Sequence, residues 1–231
     1  MKIWIDRQKV NARAATANYA SVGGLLLLLA SVVIPLFAPR TANFSWLATV
    51  AGGAIAMIGI YLANRWVRKP RPEDSLDKAL KSFDDKFQLF HYPALPCDHL
   101  LLTPSGVVAL EVVNLPGHFT YRDGSWKESM SIGRALRYIV EPRVMDPVAF
   151  SRLAIRDLTD RFQDTLGSTI SVPIKALTVF THPAAELELE GASIPACKIE
   201  KLRKQVAMNS ARLGPETYEK LSAVLQGATL G

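Results

Sequence analysis

The sequence predicts a pair of membrane-spanning helices followed by an α/β domain with a mixed sheet. Three observations predict this fold class: two long uncharged apolar runs near the N-terminus, an uneven distribution of charge, and alternating helix and strand patterns after residue 74. Hydrophobic residues make up 49% of the 231 residues and the mean hydropathy is +0.14, which excludes a disordered or collagen-like chain.

Positive charge is concentrated in the N-terminal third of the chain. Residues 1–71 hold nine basic residues and one acid, Asp6, whereas residues 72–231 hold 18 basic and 20 acidic residues. The net charge of +6 therefore belongs to the N-terminal segment. A domain that binds nucleic acid through a broad basic surface is expected to carry such an excess itself. The distribution of charge therefore argues against a surface of that kind on the domain.

Two uncharged apolar runs, residues 20–38 and 44–63, each approach the roughly 20 residues that a helix needs to cross a bilayer. Only residues 39–43 separate them, so we expect the two helices to form an antiparallel hairpin. Four basic residues precede the first run and four follow the second, whereas the loop holds only Arg40. The positive-inside rule then predicts an integral membrane protein with two spans and both termini in the cytoplasm.

A signal peptide and a buried helical pair both fit the apolar runs less well than a membrane hairpin does. A cleaved signal peptide is not normally followed so closely by a second span. A buried helical pair needs a large soluble partner around it, and residues 74–231 already suffice for a separate domain. The predicted organisation is a basic cytoplasmic N-terminus (1–19), two spans in the lipid bilayer, a basic linker (64–73) suited to anionic lipid, and a cytoplasmic domain (74–231).

Small residues recur along the second span, at Ala48, Gly52, Gly53 and Ala56. Such spacing permits the close approach of another helix, either within the hairpin or in a homo-oligomer. The alternative is that alanine and glycine are simply common in membrane spans. The sequence favours this alternative and leaves the partner of the small-residue face open.

The pattern after residue 74 alternates between helix and strand. A helical spacing of apolar residues begins at Asp74, and the segments 87–95 and 99–102 have an extended character. The run 107–113, VVALEVV, is the strongest strand because it is β-branched and apolar apart from Glu111. Further predicted elements are a strand at 118–121 with a hairpin turn at 123–124, a helix from 147, a strand at 175–181, and helices from 199 and over 216–225.

Glu111 is unusual because it lies within the most apolar strand. An acid there is costly to bury unless it is paired, protonated or bound to a cation. Alternate residues share a strand face, so Glu111 lies with Ala109 and Val113. Asp98 opens the preceding short strand, and the two carboxylates can meet if the strands are antiparallel neighbours. Converging carboxylates suit a hard cation such as Mg²⁺. The alternative is a sheet edge in water or an arginine partner.

The residues around this pair resemble those of a known family. The segments that carry the resemblance are 97–107 (CDHLLLTPSGV), 110–114 (LEVVN), 116–118 (PGH) and Trp126. They resemble the nuclease-related domain (NERD) family of the PD-(D/E)xK nuclease-like superfamily, over about residues 74–225. The resemblance implies a restriction-endonuclease-like fold and metal-dependent hydrolysis of phosphodiester bonds.

The resemblance also implies a role for each matching residue. Asp98 and Glu111 would hold a Mg²⁺ that activates water and stabilises the charge developing on the phosphate. The family also has an acid in its first helix, and Asp77 is the residue that falls there. The lysine found two residues after the family's glutamate would orient the water or neutralise charge, but here this position is Val113.

A second family feature also differs. A helix start of the form Asn-Pro-x-x-Gln becomes residues 146–150 (DPVAF), so Phe150 replaces the glutamine. Loss of one preorganised polar group typically lowers a rate by about 10²–10³-fold. These departures predict a catalytically impaired domain that holds Mg²⁺ or no cofactor. A lysine from elsewhere, Lys127 or Lys175, is a candidate to replace the missing one.

Three functions follow as hypotheses. The favoured one is a membrane-anchored nuclease-related protein that no longer cuts and instead binds nucleic acid or a protein partner. The others are an active Mg²⁺-dependent nuclease with a rearranged site and a structural membrane protein that assembles with itself or with other proteins. An arginine cluster is the best local candidate for phosphate contacts, although a solvated helix face accounts for it more simply. Its members are Arg134, Arg137, Arg143, Arg152, Arg156 and Arg161.

Overall fold

The structure of the chain is a computed structural model that describes residues 1–129, 144–167, 171–191, 194–207 and 211–230. These residues form two compact units. The helical unit contains residues 7–71, and the α/β unit contains residues 1–6 together with the described residues from 72 onward. Three members of the predicted arginine cluster, Arg134, Arg137 and Arg143, lie outside the described residues.

The helical unit is a hairpin of two long helices, α1 (Arg7–Phe37) and α2 (Ala42–Trp66), joined by a 3₁₀ turn at Pro39–Thr41. Both helices are long and apolar enough to cross a membrane, as predicted. Only 11% and 17% of the residues in their most apolar stretches are buried inside the structure. Most of the apolar surface of the hairpin therefore faces outward, unlike that of a helix in a soluble core.

Small residues bring the two helices into close contact. A Cβ atom added at Gly24 would lie 2.4 Å from the backbone nitrogen of Ala56, and one added at Gly59 would lie 2.3 Å from the backbone nitrogen of Ser21. Gly52 is also close to α1, whereas a Cβ added at Gly53 would meet no atom within 4 Å. The small residues of α2 therefore form the contact with α1 inside the hairpin, except for Gly53, which does not take part in it.

The α/β unit contains a six-stranded mixed sheet and a three-stranded sheet, which confirms the predicted fold class of an α/β domain with a mixed sheet. The strands are β1 (Lys2–Ile5), β2 (Gln88–His91), β3 (His99–Thr103), β4 (Gly106–Val113), β5 (Gly117–Arg122), β6 (Ser125–Glu128), β7 (Ile174–Phe180), β8 (Ala185–Leu189) and β9 (Ala196–Lys198). The larger sheet has the order β1-β2-β3-β4-β7-β9, with β2, β3 and β4 antiparallel in turn and the other pairs parallel. The smaller sheet has the order β6-β5-β8.

The helices described in the α/β unit divide between the two faces of the larger sheet. They are α3 (Pro72–Leu80), α4 (Pro147–Leu166), α5 (Leu202–Gln205) and α6 (Pro215–Leu230). Helices α4 and α6 contribute apolar residues to the core on one face, beside Leu100, Ala109 and Ala176. Helices α3 and α5 pack on the other face, beside Leu110 and Leu177. The alternation of side chains along each strand therefore decides which helix a residue meets.

Strand β1 is an unexpected part of the sheet. The sequence predicts residues 1–19 as a basic tail, but Lys2–Ile5 pairs in parallel with β2 and α1 begins at Arg7. Trp4 stacks on Phe90 with ring centroids 6.3 Å apart, and its indole nitrogen donates to Gln88 Oε1 at 3.0 Å. The hairpin is therefore inserted between the edge strand and the first helix of the α/β unit.

Local sequence explains where α4 begins and which of its faces is buried. The Asp146 side chain accepts a hydrogen bond from the backbone nitrogen of Val148 at 2.8 Å, and Pro147 occupies the first turn. The apolar face of α4 is buried at Phe150 and at the residues that follow it at helical spacing. Leu153 is 41% exposed because it lies off this face.

Candidate functional site

Asp98 and Glu111 lie at the same end of β3 and β4, Asp98 just before the first residue of β3 and Glu111 within β4. His99, the first residue of β3, pairs with Leu110, and the antiparallel register therefore brings Asp98 opposite Glu111. The tight turn between the strands fixes this register. The pattern of apolar residues also favours it, because a shift by one residue would move the apolar side chains to the wrong faces. The structure thus places the two acids that the sequence selects at the same end of neighbouring strands.

Cys97 reports on the charge at this position. Its side chain is buried, and burial raises the pKa of the thiol to about 12. The carboxylates of Asp98, Glu111 and Asp157 contribute to this raised pKa, since negative charge disfavours a thiolate. Three acids, one of them from α4, therefore contribute negative charge at this thiol. The sequence does not select Cys97 or Asp157, and the adjacency of Cys97 to Asp98 is its only signal for their involvement.

Thr178 of β7 lies beside Glu111. The parallel register pairs these two residues, and both lie on the face that α4 covers, two positions beyond Ala176 and Ala109 respectively. Thr178 is fully buried, and within the described part of the chain its hydroxyl makes no hydrogen bond. A buried polar atom without a partner is costly, so its presence makes this end of the sheet a candidate site rather than ordinary core.

Asp77 lies on the other face of the sheet. Leu110 packs with α3, so alternation turns the neighbouring Glu111 away from that helix. Asp77 Oδ1 lies 3.0 Å from His91 Nε2, and His91 Nδ1 lies 2.8 Å from His99 Nδ1. The structure therefore does not bring Asp77 to the carboxylate pair. The role that the resemblance implies for Asp77 has no geometric support.

The histidines form part of a buried polar network under α3. His91 and His99 are each 1% exposed. Tyr92, which has a positive φ of 54°, donates its hydroxyl to Glu73 Oε2 at 2.7 Å, and its ring lies 4.9 Å from that of His99. Each of these hydrogen bonds satisfies a group that would be costly to bury alone. The network therefore fixes α3 on the sheet.

The positions of the two missing polar groups are apolar and buried. Val113 is 6% exposed and packs in a cluster with Phe119 and Phe180. Phe150 is 9% exposed and belongs to the core beneath α4, with Leu100. Neither position has room for a hydrated charge. The two positions at which the sequence differs from the family that it resembles are therefore part of the packing of this domain.

The two lysines that were candidates to replace the missing one lie elsewhere. Lys175 pairs with Val108, which faces α3 and α5, and its ammonium group donates to the backbone carbonyls of Gln205 and Ala207. Lys127 lies on β6 in the smaller sheet, where it pairs with Thr120. Neither residue lies on the strand position or the face that Glu111 occupies.

The donor atoms at the carboxylate pair fit a hard cation in type, because they are carboxylate and hydroxyl oxygens. In the ranges that the structure describes, no group of three or more His, Cys, Asp and Glu side chains is arranged to hold a metal ion. Mg²⁺ would therefore depend on Asp98, Glu111 and water for its ligands.

No protein-family model, curated protein or solved structure matches this chain.

Proposed function

We propose that this chain is a membrane-anchored, nuclease-related protein whose α/β unit does not cleave nucleic acid and instead binds a partner. The observation that carries the proposal is the burial of Val113, at the position of the family's lysine, in an apolar cluster. The mixed sheet and the opposed carboxylates, Asp98 and Glu111, support the nuclease-like relationship.

An apolar residue in place of the lysine would remove both a positive charge and a preorganised polar group from a reaction centre. Hydrolysis of a phosphodiester needs groups that stabilise charge as it develops, and such groups act only when they are preorganised. The carboxylate of Glu111 remains, but the residue two positions later packs against Phe119 and Phe180. A site of this kind keeps the means to attract a cation and lacks the means to complete catalysis.

The insertion of the hairpin into the sequence of the α/β unit supports a cytoplasmic location for that unit. Both ends of the hairpin connect to the same α/β unit, through β1 on one side and α3 on the other. If α1 and α2 cross the bilayer, these two ends lie on the same side of it. The basic residues that flank the hairpin favour the cytoplasm for that side. The α/β unit would therefore meet its partner at the cytoplasmic surface of the membrane.

Cleavage by the full chain tests the proposal. The chain should be purified whole in detergent, because truncation before residue 72 would remove β1 from the sheet. Wild type and Glu111→Ala are incubated with single- and double-stranded DNA in Mg²⁺ and in Mn²⁺, with Glu186→Ala, an exposed residue of β8, as the matched control. We expect no cleavage by any of the three proteins.

One alternative has an observation in its favour. Asp98, Glu111 and Thr178 lie at the same end of the larger sheet, which would suit an active Mg²⁺-dependent nuclease with a rearranged site. In that case wild type and Glu186→Ala would cut DNA, and Glu111→Ala would not. That result would overturn the proposal and establish the enzyme.

A further inference from the structure

Strand β7 is longer than its neighbour at the edge of the larger sheet. The pairing of β7 with β9 involves only Thr178–Phe180, whereas β7 begins at Ile174. Among the described strands, none pairs with residues 174–177 on that side. At roughly 3.3 Å per residue, this open edge is about 13 Å long. The backbone of residues 174–177 thus has no described strand beside it on this side of β7.

The backbone groups along this edge point outward in a regular way. Pro173 accepts a hydrogen bond from Val107 of β4, whereas Thr178 donates to Pro195 on the opposite side of β7. Since neighbours in a strand alternate in direction, Ile174 and Ala176 direct their backbone N–H and C=O groups toward the open edge. These groups are placed as they would be for one more strand.

A groove of about 830 Å³ lies along the open edge. Residues of α4 form one wall, among them Arg152 and Ile155, and β9 together with the end of α5 forms another. Residues 174–177 of β7 also line it, and Leu187 and Leu189 of β8 extend its apolar surface. Clefts of this size commonly hold small or peptide-like ligands.

The charge of the groove is opposite in sign to the net charge of residues 72–231. Four basic residues line it, Arg152, Lys175, Lys198 and Lys201, and no Asp or Glu occurs among its described lining residues. Residues 72–231 as a whole have two more acids than bases. A local concentration of positive charge on an acidic domain favours a negatively charged partner.

The apolar part of the lining distinguishes between classes of anionic partner. Nucleic acid binds surfaces on which basic residues predominate, often with aromatic side chains for stacking. Here the bases are interspersed with aliphatic residues such as Ile155, Ile174 and Leu187, and no aromatic residue occurs among the described lining residues. This mixture suits a peptide whose side chains alternate between acidic and aliphatic.

We propose that the groove binds an extended acidic peptide segment of a partner protein, which adds as a strand to the open edge of β7. The backbone of the peptide pairs with Ile174 and Ala176, and its acidic side chains meet Arg152 and Lys201. This inference rests on the proposed binding function and names its partner class.

Peptide binding by the full chain in detergent tests this inference. The probe is a short fluorescein-labelled peptide in which glutamate and valine alternate, and binding is followed by fluorescence anisotropy. We expect Arg152→Glu and Lys201→Glu each to weaken binding by about tenfold or more, since a like charge replaces an attractive one. Lys204→Glu is the matched control, because Lys204 is exposed three residues after Lys201 and does not line the groove. Its affinity should equal that of wild type.

Two altered peptides separate strand addition from simple charge attraction. A version with backbone N-methyl groups at alternate residues cannot pair with β7, and a version with lysine in place of glutamate has the wrong charge; we expect both to bind at least tenfold more weakly. Equal binding of the N-methylated peptide would overturn strand addition. Failure of the glutamate–valine peptide to bind would overturn the inference.

Two further measurements identify the occupants that would contradict it. Tighter binding of oligo(dT), in competition with the peptide and lost in Lys201→Glu, would assign the groove to nucleic acid. Self-association in sedimentation that disappears in the same variant would assign it to a second copy of the chain. Neither result depends on DNA cleavage, so the proposed loss of catalysis stands or falls separately.

Discussion

Asp98 and Glu111 lie at the same end of β3 and β4, and both carboxylates raise the pKa of the thiol of Cys97, which precedes Asp98 in the chain. The thiol is therefore a built-in probe of the charge at this end of the sheet. Reactivity of a cysteine depends on its thiolate, so a change in the neighbouring charge alters a measurable rate. This property allows the pair to be tested without knowledge of any substrate.

Replacement of Glu111 by Gln should speed alkylation of Cys97. Removal of a negative charge lowers the pKa of the thiol, and one pKa unit changes the thiolate fraction about tenfold. We expect iodoacetamide to react roughly threefold to tenfold faster at a fixed alkaline pH, in a chain that carries Cys197→Ala. Glu186→Gln, on the exposed side of β8, is the control. An unchanged rate in Glu111→Gln would show that the carboxylate does not act on Cys97.

The raised pKa of Cys97 also predicts how stability depends on pH. The folded thiol keeps its proton to about pH 12, whereas the unfolded thiol loses it near 9.0. The stabilisation is therefore complete below pH 9 and is lost as the pH rises through 12, by up to about 4 kcal/mol. The free energy of unfolding of Cys97→Ala, measured by urea titration in detergent, should fall less steeply over this range. Parallel curves for the two proteins would contradict the prediction.

A lysine at position 113 should destabilise the domain without restoring cleavage. Val113 is buried in an apolar cluster, and an ammonium group there would lose its hydration. We expect Val113→Lys to lower the free energy of unfolding by about 2–4 kcal/mol, measured by urea titration with circular dichroism. Val113→Ile, which keeps an apolar side chain, should change it by less than about 1.5 kcal/mol. DNA cleavage by a folded Val113→Lys protein would show that the site needs only this lysine.

The contact between α1 and α2 can be tested with two adjacent glycines. Gly24 lies against the backbone of Ala56, whereas a Cβ added at Gly23 would meet no atom within 4 Å. We expect Gly24→Leu to destabilise the hairpin by about 1–3 kcal/mol because the helices must move apart. Gly23→Leu should have little effect. Thermal unfolding in detergent, followed by circular dichroism at a helix wavelength, compares them. Equal melting temperatures for the two variants would contradict this packing.

The turn of the hairpin should lie outside the cell. In a chain that carries Cys97→Ala and Cys197→Ala, a membrane-impermeant maleimide should label Thr41→Cys in intact cells, because both basic flanks of the hairpin stay inside. Ser125→Cys, at the exposed first residue of β6, should be labelled only after the membrane is permeabilised. The reverse pattern would overturn the predicted topology.

The elements that the sequence predicts well are those whose signals are local. The strand at 107–113 shows itself by its β-branched run, and the turn between β3 and β4 is short enough to fix the register that opposes Asp98 to Glu111. The apolar runs of α1 and α2 can be recognised as candidate membrane spans from their length alone. In each case the residues that decide the structure are neighbours in the chain.

The features that the sequence does not predict depend on distant partners. Strand β1 has four residues, and its partner β2 begins at Gln88, which follows the whole hairpin in the sequence. Strand β9 has three residues and pairs with β7. The face that Asp77 meets depends on where α3 packs, and alternation along a single strand does not contain that information. Long-range pairing of this kind leaves little local trace.

The position of β1 also constrains the order in which the molecule can be completed. This strand is synthesised before both apolar helices, but the strand with which it pairs is synthesised only after them. The edge of the sheet can therefore close only once the hairpin has been made in full. A chain halted within the hairpin keeps Trp4 and its neighbours without their sheet, as an exposed segment that the cell's quality control can recognise. The pairing of β1 with β2 therefore has to wait for the synthesis of both helices.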